Sequence, residues 1–213
     1  MKLEGAIFDL DGTLLDSMGI WEKVPNLYLS SKGLPESDTL HKEISVLGLE
    51  ASAEYVGKKY NIPDSPQTIL ADIIAIVGEF YRCDAELKEG AAEFLRTIWE
   101  KGVKICVATA TDKELAKAAL ERCGVLKYIS NILTCDELET TKQVPLIYRT
   151  ALDILGTEKD RTVIFEDAYY AAKTAKDDGF TVCGIYDKSE SEDIKTLCDY
   201  YIENYNEAGE IFD

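Results

Sequence analysis

Two carboxylates stand two residues apart near the start of the chain, within the run Asp9–Thr13 (DLDGT). The apolar run Gly5–Phe8 precedes them and predicts a buried strand. Residues two apart in an extended segment point to the same side, so Asp9 and Asp11 are expected to face one site. Such a pair favours a hard cation such as Mg²⁺, which takes oxygen ligands and leaves room for a substrate phosphate. One carboxylate can then act as a nucleophile and the other as an acid and base.

This run resembles the first motif of the haloacid dehalogenase (HAD) superfamily, in the Asp-x-Asp-Gly-Thr form of its phosphotransferases. The resemblance implies that Asp9 attacks phosphorus and becomes an aspartyl-phosphate. It implies that Asp11 protonates the leaving alcohol and then activates water, and that Gly12 and Thr13 lie against the substrate. An EF-hand loop also begins Asp-x-Asp, but Ile20 stands where that loop needs a bidentate glutamate.

A second strand end carries hydroxyl residues, in the run Val107–Glu114. Thr111 and Glu114 have capping-box spacing, which predicts a helix beginning here. Helix N-termini hold anions through free N–H groups and the helix dipole. Thr109 stands where the second HAD motif has its Ser or Thr. The resemblance implies that Thr109, with Ala110 and Thr111, binds the transferring phosphoryl group.

The third candidate motif contains a lysine, Lys142. Lys142 is expected at the start of a helix, where a cation is unfavourable to the dipole, and that mismatch indicates a functional reason for it. It resembles the third HAD motif, whose lysine balances the charge of the nucleophile and the phosphate. The commoner form of that motif is Lys-Pro-x-Pro; here Gln143 replaces the first proline, while Pro145 and Tyr148 fit.

A further apolar strand-like run ends in the paired acids Glu166 and Asp167. It resembles the fourth HAD motif in its Glu-Asp form. The resemblance implies that Asp167 coordinates Mg²⁺ directly and that Glu166 assists through a ligated water. Asp9 and the backbone carbonyl of Asp11 would complete the protein ligands. The usual continuation has glycine four residues after this aspartate, and this chain has Ala171 there.

Short apolar runs alternate with helical stretches from Gly90 onward, which predicts a parallel sheet with helices on both faces. The predicted strands are Leu3–Phe8, Val103–Ala108, Asn131–Thr134, Thr162–Phe165, Thr181–Ile185 and Tyr200–Ile202. The predicted helices between them are Ala91–Lys101, Asp112–Cys123, Lys142–Leu155, Ala168–Asp178 and Ser191–Asp199. The expected fold class is α/β, with the Rossmann-like parallel sheet of the HAD fold. Every candidate site residue then lies beyond the carboxyl ends of the strands, where such sheets bind ligands.

Residues 16–86 break this pattern, because their apolar residues recur at helical spacing. The helices predicted there are Trp21–Ser31, Leu40–Leu47, Ala53–Tyr60 and Ile69–Phe80. Ser65-Pro66 predicts an N-cap followed by a first-turn proline. The insert resembles the α-helical cap of HAD subfamily I. We therefore expect a core domain of residues 1–15 and 87–213 and a helical cap domain of residues 16–86.

Composition limits the class of partner. The chain has 213 residues, 46% of them hydrophobic, and a formal net charge of −17. Nucleic acid and an anionic membrane surface are disfavoured because binding them needs clustered Lys and Arg. The six cysteines form no Cys-x-x-Cys pair, which is typical of buried thiols in a reducing cytoplasm. His41 is the lone histidine, so a zinc site or His-based triad is disfavoured.

No signal peptide and no run long enough to span a bilayer is visible, and a cytoplasmic monomer or weak homodimer is expected. The polar, acidic tail Tyr205–Asp213 is expected to fray.

The four motifs occur in the order expected for HAD proteins, with the helical insert in the expected gap. The chain is identified as similar to the group that contains phosphoglycolate phosphatase and β-phosphoglucomutase. The expected function is a Mg²⁺-dependent phosphatase acting on a small phosphorylated metabolite. A sugar phosphomutase is the main alternative, although the stretch Gly48–Ser52, where such mutases carry an arginine, has no basic residue. A non-catalytic HAD-fold binding protein is the second alternative; its sign would be lost motif acids.

Overall fold

A computed structural model of the protein describes residues 2–44, 47, 49–189 and 193–212. Six strands form one sheet: β1 (Gly5–Phe8), β2 (Lys104–Thr109), β3 (Asn131–Thr134), β4 (Thr162–Glu166), β5 (Thr181–Ile185) and β6 (Tyr200–Ile202). They pair in the order β3-β2-β1-β4-β5-β6, and every pairing is parallel. The predicted α/β fold with a parallel sheet is confirmed.

The chain divides into two compact units, one of Met1–Ser17 with Ala85–Asp213 and one of Met18–Asp84. The second unit contains helices α1 (Gly19–Ser31), α2 (Leu40–Ile44), α3 (Leu49–Lys59) and α4 (Pro66–Cys83). The Ser65 hydroxyl accepts a hydrogen bond from the Thr68 N–H at 3.2 Å, so the predicted N-cap of α4 is confirmed. Ser45 and Val46, part of the predicted helix Leu40–Leu47, lie outside the described residues. Within the described part of the chain, none of the helices has the length and apolar character needed to cross a membrane.

The sheet carries helices α5 (Ala91–Glu100), α6 (Lys113–Arg122), α7 (Leu146–Leu155), α8 (Tyr169–Asp177), α9 (Asp193–Leu197) and α10 (Ala208–Ile211). The central strands are buried on both faces, which explains why they read as continuous apolar runs. On one face, Ile7 and Ile164 pack with Ile147 of α7 in the main core. On the other, Phe8 stacks on Phe165 with ring centroids 4.3 Å apart. Ser191, the predicted start of the helix before β6, lies outside the described residues.

The C-terminal segment is packed, so the prediction that it frays is wrong for its described residues. Tyr205 and Phe212 are buried. The Tyr205 ring stacks on Phe94 with centroids 5.4 Å apart, and the Phe212 ring meets Phe165 edge-on at 5.4 Å. Buried aromatic rings contribute large apolar areas, which outweighs the polar residues between them.

The segment after β1 is held by a second segment of the same unit. Leu15 and Leu87 form an antiparallel bridge. The Asp16 N–H donates to the Glu86 carbonyl at 2.9 Å, and the Lys88 N–H donates to the Leu14 carbonyl at 2.8 Å. These bonds fix the backbone just beyond the run Asp9–Thr13.

Candidate active site

The predicted site residues lie at the carboxyl ends of three neighbouring strands. Asp9 follows β1, Thr109 ends β2 and Glu166 ends β4. β1 lies between β2 and β4, so the order of the strands along the sheet reverses at this point. In open parallel sheets, ligands bind beyond the strand ends at such a reversal.

Four charged side chains meet there and are all buried: Asp9, Lys142, Glu166 and Asp167. The Lys142 Nζ donates to Asp9 Oδ1 and to Glu166 Oε1, the latter at 2.6 Å. The Ala168 N–H donates to the second Glu166 oxygen at 3.3 Å. We call these four residues the carboxylate cluster. It contains three carboxylates and only one lysine, so negative groups outnumber positive ones.

This imbalance changes the protonation equilibria of the carboxylate cluster. Burial raises the pKa of Asp9, Glu166 and Asp11 raise it further, and Lys142 opposes them. Burial also raises the pKa of Asp167, helped by the charges of Asp9 and Glu166. Burial lowers the pKa of Lys142, but Asp9 and Glu166 outweigh that effect and hold its pKa well above the ordinary value. The lysine therefore stays charged and offsets only part of the negative charge of the three acids around it.

The donor set fits a hard divalent cation. One oxygen from each of Asp9, Glu166 and Asp167 lies within 4.8 Å of the other two. Oxygen-only donors suit Mg²⁺ and disfavour softer metals. A cation would supply the positive charge that Lys142 alone does not. The predicted role of the Asp11 backbone carbonyl stays a prediction.

Asp11 lies beside the carboxylate cluster but has different partners. Its carboxylate accepts hydrogen bonds from Ser17 Oγ at 2.6 Å and Thr111 Oγ1 at 2.5 Å. The predicted capping box of Thr111 with Glu114 does not form, so that prediction is wrong. Asp112 is the N-cap of α6, and its carboxylate accepts from the Glu114 and Leu115 N–H groups. A carboxylate one residue closer to the helix takes these N–H groups, which leaves the threonine hydroxyl for Asp11.

Lys142 is not at a helix start, so that prediction is also wrong. Helix α7 begins at Leu146, with Pro145 at its N-cap. The ring of Pro145 disfavours helical geometry at Val144, which keeps the preceding turn out of the helix. Lys142 is held by its two carboxylate partners, and no helix positions it.

The loop after β1 packs closely against the end of β4. Gly12 has φ +80°, and a Cβ there would lie 2.1 Å from Asp167 Oδ2, so this position requires glycine. The Thr13 hydroxyl donates to Asp167 Oδ1 at 2.8 Å. Thr109 is buried, and its hydroxyl oxygen accepts from the Thr111 N–H at 3.0 Å. Ala110 between them is exposed. Phosphate binding by these loop residues stays a prediction.

Three contacts of the site were not predicted. Tyr148, singled out only as part of its motif, donates its hydroxyl to Glu166 Oε1 at 2.8 Å. Ser17 holds Asp11, as described above. Tyr205 donates its hydroxyl to the Thr13 carbonyl at 3.2 Å. Ser17 and Tyr148 lie within a few residues of the motifs, which is a weak sequence signal that they contribute to the site. Nothing near Tyr205 in the sequence indicates a contact with the loop that contains Thr13.

Comparison with known proteins finds similar sequences. The sequence model of the haloacid dehalogenase-like hydrolases matches residues 6–185. A phosphorylated carbohydrates phosphatase of Thermotoga maritima is 26% identical over 181 residues, covering 83% of this chain and 82% of that protein. The validoxylamine A 7'-phosphate phosphatase of Streptomyces hygroscopicus is 27% identical over 188 residues, covering 88% and 87%.

The fold is also similar to that of a solved structure. A crystal structure from Thermotoga maritima, provisionally assigned as a β-phosphoglucomutase, superposes with a TM-score of 0.85. The similarity covers 94% of each chain at 22% sequence identity. At that identity the comparison shows a shared fold, and the reaction must be argued from the site.

Proposed function

Because this chain belongs to the haloacid dehalogenase-like hydrolase family, we propose that it is a Mg²⁺-dependent phosphatase that hydrolyses a small phosphate monoester through an aspartyl-phosphate. The curated relatives named above are phosphatases, which supports this enzyme class. The observation that carries the proposal is the carboxylate cluster, with a separately held carboxylate at Asp11. A nucleophile, a cation site and an acid–base group are the parts that this reaction needs.

In the first step, an Asp9 oxygen attacks phosphorus and the bond from phosphorus to the leaving oxygen breaks. Asp11 gives its proton to that oxygen, and the alcohol departs. In the second step, Asp11 takes a proton from water as the water oxygen attacks the phosphoryl group. Phosphate leaves, and Asp9 is restored. Ser17 and Thr111 orient Asp11 for both proton transfers.

The remaining groups would offset the negative charge of the nucleophile and the substrate phosphate. Asp9, Asp167 and the Asp11 carbonyl would hold Mg²⁺, with Glu166 acting through a ligated water. The ion would supply positive charge against the repulsion between nucleophile and phosphate. Lys142 neutralises part of the same charge, and Thr109 and the loop N–H groups bind the phosphoryl oxygens.

The helical unit Met18–Asp84 is proposed as a cap domain that excludes bulk water and selects the substrate. A cytoplasmic monomer or weak homodimer, acting on a small phosphorylated metabolite and on neither nucleic acid nor membrane, stays our prediction.

Phosphate release from a panel of sugar, nucleotide and small-acid phosphates tests the proposal, with Mg²⁺ and with EDTA. Phosphorylated carbohydrates come first, because one relative is named for them. We expect metal-dependent release that falls about 10³-fold or more in Asp9→Asn, since the nucleophile is lost. Asp153→Asn, which replaces an exposed acid on α7, is the matched control. We expect this variant to keep full activity.

Normal turnover in Asp9→Asn would end the proposed mechanism. If no substrate releases phosphate, formation of glucose 6-phosphate from β-glucose 1-phosphate would identify the mutase alternative. Failure of that assay as well would favour a non-catalytic binding role.

A further inference from the structure

The C-terminal segment places a buried hydroxyl against the loop after β1. Tyr205 is buried, and its hydroxyl donates to the Thr13 carbonyl at 3.2 Å. Burial raises the pKa of the Tyr205 phenol well above its ordinary value, so the group stays a neutral donor at neutral pH. Thr13 is also buried, and a buried carbonyl needs a donor because an unpaired one loses its hydrogen bonds to water without compensation.

Ring packing alone does not account for a tyrosine at this position. In the part of the chain that the structure describes, four rings contact Phe94, namely those of Phe8, Phe165, Tyr205 and Phe212. Three of the four belong to phenylalanines, and the ring of Tyr205 is the one that carries a hydroxyl. A phenylalanine there would fill the same space without burying a polar group. The hydroxyl is therefore explained by its acceptor in the loop.

The backbone on both sides of this hydrogen bond is fixed. The Tyr205 N–H donates to the Glu89 carbonyl at 3.0 Å. Lys88, the residue before Glu89, donates its N–H to the Leu14 carbonyl at 2.8 Å. The carbonyls of the successive loop residues Thr13 and Leu14 are thus held by two segments that are bonded to each other. Such bracing restricts the movement of the Thr13 peptide.

The side chain of Thr13 faces the carboxylate cluster. Its hydroxyl donates to Asp167 Oδ1 at 2.8 Å. Asp167 supplies one of the three carboxylate oxygens that lie within 4.8 Å of one another. Thr13 therefore links the two groups, because it accepts from Tyr205 through its carbonyl and donates to Asp167 through its hydroxyl. Groups that hydrogen-bond a metal ligand fix its orientation and affect metal affinity.

We propose that Tyr205 is a positioning residue for the metal site: its hydroxyl holds the Thr13 peptide, and Thr13 holds Asp167 in the orientation that binds Mg²⁺. Tyr205 itself contacts neither the ion nor the substrate. This role rests on the Mg²⁺ site of the proposed function and adds to it a residue from the C-terminal segment. Its effect on metal affinity should be smaller than that of Thr13, which bonds to Asp167 directly.

Isothermal titration calorimetry of the full chain with Mg²⁺ measures this role without an activity assay. Tyr205→Phe keeps the ring contacts, and we expect its Kd for Mg²⁺ to rise about fivefold, the value of one neutral hydrogen bond. Thr13→Val removes the hydroxyl that bonds to Asp167 and should raise the Kd about tenfold or more. Tyr200→Phe is the matched control, because the Tyr200 ring meets Phe212 edge-on at 5.3 Å in the same group of rings. It should keep the wild-type Kd.

The double variant separates positioning from stability. If Tyr205 acts through Thr13, Tyr205→Phe should change the Kd less than about twofold in the Thr13→Val background, whereas independent effects would multiply. A lower Tm in EDTA with an unchanged Kd in Tyr205→Phe would overturn the proposal and assign the hydroxyl to stability. An undiminished effect of Tyr205→Phe in the Thr13→Val background would also overturn it. If the wild type bound no Mg²⁺, the metal site of the proposed function would be rejected and this role with it.

A measurement on the wild type needs no variant to fold. The chain is labelled with ¹³C at tyrosine Cζ, the carbon that bears the hydroxyl, and is titrated with Mg²⁺. The Tyr205 signal should shift with the midpoint found by calorimetry, and the Tyr200 signal should stay in place. An unshifted Tyr205 signal would contradict the proposed link to the metal site.

Discussion

Two groups of buried charges in the sheet-containing unit differ in their charge balance. Asp187, after β5, pairs with Lys88 at 2.6 Å, and their side chains are 1% and 14% exposed. Ser189 donates its N–H and its hydroxyl to the other Asp187 oxygen. Burial raises the pKa of Asp187, but these partners outweigh it and hold the pKa below its ordinary value.

The carboxylate cluster has the opposite balance. Its three acids share one lysine, and the pKa values of Asp9 and Asp167 are raised. The Asp187 pair is complete as it stands and holds two loops together. The cluster has an excess of negative charge that a bound cation would offset. Charge balance, more than burial, therefore separates a structural ion pair from a candidate catalytic site.

The largest expected contrast lies between the two lysines. Lys142→Met removes the charge of the cluster while keeping the aliphatic stem. We expect kcat/KM for phosphate release to fall about 10³-fold, since in the proposed mechanism this charge acts on the nucleophile and the phosphate. Lys88→Met should change kcat/KM less than about tenfold, because that lysine touches no proposed reacting group. Initial rates on the best substrate of the panel measure kcat/KM for both variants. Equal losses of kcat/KM in Lys142→Met and Lys88→Met would contradict the distinction between the carboxylate cluster and the Asp187 pair.

Metal binding should give the next largest effect. Mg²⁺ at about 100 times its Kd should stabilise the wild type by about 2.7 kcal/mol. For a chain of this size that raises Tm by about 5–10 °C. Differential scanning fluorimetry with Mg²⁺ and with EDTA measures the shift. Asp167→Asn should lose most of it, and Asp187→Asn should keep it in full. A full shift in Asp167→Asn would show that the ion binds elsewhere.

The same two variants should affect metal-free stability with opposite signs. At pH 8 in EDTA, Asp167→Asn should raise the free energy of unfolding by about 1–2 kcal/mol, because it removes an unbalanced acid. Asp187→Asn should lower that free energy by about 2 kcal/mol, the value of a charged hydrogen bond. Urea denaturation measures both changes.

The pH dependence sharpens this contrast. The folded-state pKa of Asp167 is raised from 3.8 to about 9, so the folded state binds more protons across that range. Stability of the wild type is therefore lost as pH rises, and the advantage of Asp167→Asn should grow from pH 5 to pH 8. The pKa of Asp187 is lowered, so its contribution is full above about pH 4 and is lost only below. The deficit of Asp187→Asn should stay constant from pH 5 to pH 8, and a deficit that varied would mean that Asp187 titrates there.

The smallest effect concerns a group that acts on the cluster indirectly. Tyr148→Phe removes the hydroxyl that donates to Glu166 and keeps the ring in the core. We expect the Mg²⁺ concentration for half-maximal activity to rise about tenfold, as for other groups that orient metal ligands. Tyr128→Phe, in the turn before β3, is the control and should leave that concentration unchanged. An unchanged metal requirement in Tyr148→Phe would assign its hydroxyl to stability alone.

The parts of the site that could be predicted depend on short stretches of sequence. The run Asp9–Thr13 follows β1, and Glu166 and Asp167 stand at the end of β4. Both strands lie where predicted to within about two residues. A strand in a parallel sheet is bounded by its own apolar run, so its end is readable from a few neighbours.

The predictions that failed depend on competition between groups. The hydroxyl of Thr111 can cap a helix or bind Asp11, and Asp112 decides the outcome by capping α6 itself. The tail was expected to fray because its acids are visible in the sequence, whereas the surface that buries Phe212 is not. Such outcomes depend on which alternative partner is within reach.

The sequence by itself determined the strand ends, the residue types placed at them and the order in which they occur. These features depend on local patterning, which acts over a few residues. Only the tertiary structure decided that the Tyr205 hydroxyl reaches the Thr13 carbonyl across 192 residues, and that Asp112 rather than Thr111 caps α6. Charge balance and hydrogen-bond satisfaction depend on all the groups that surround a side chain in space, and those groups come from distant parts of the chain.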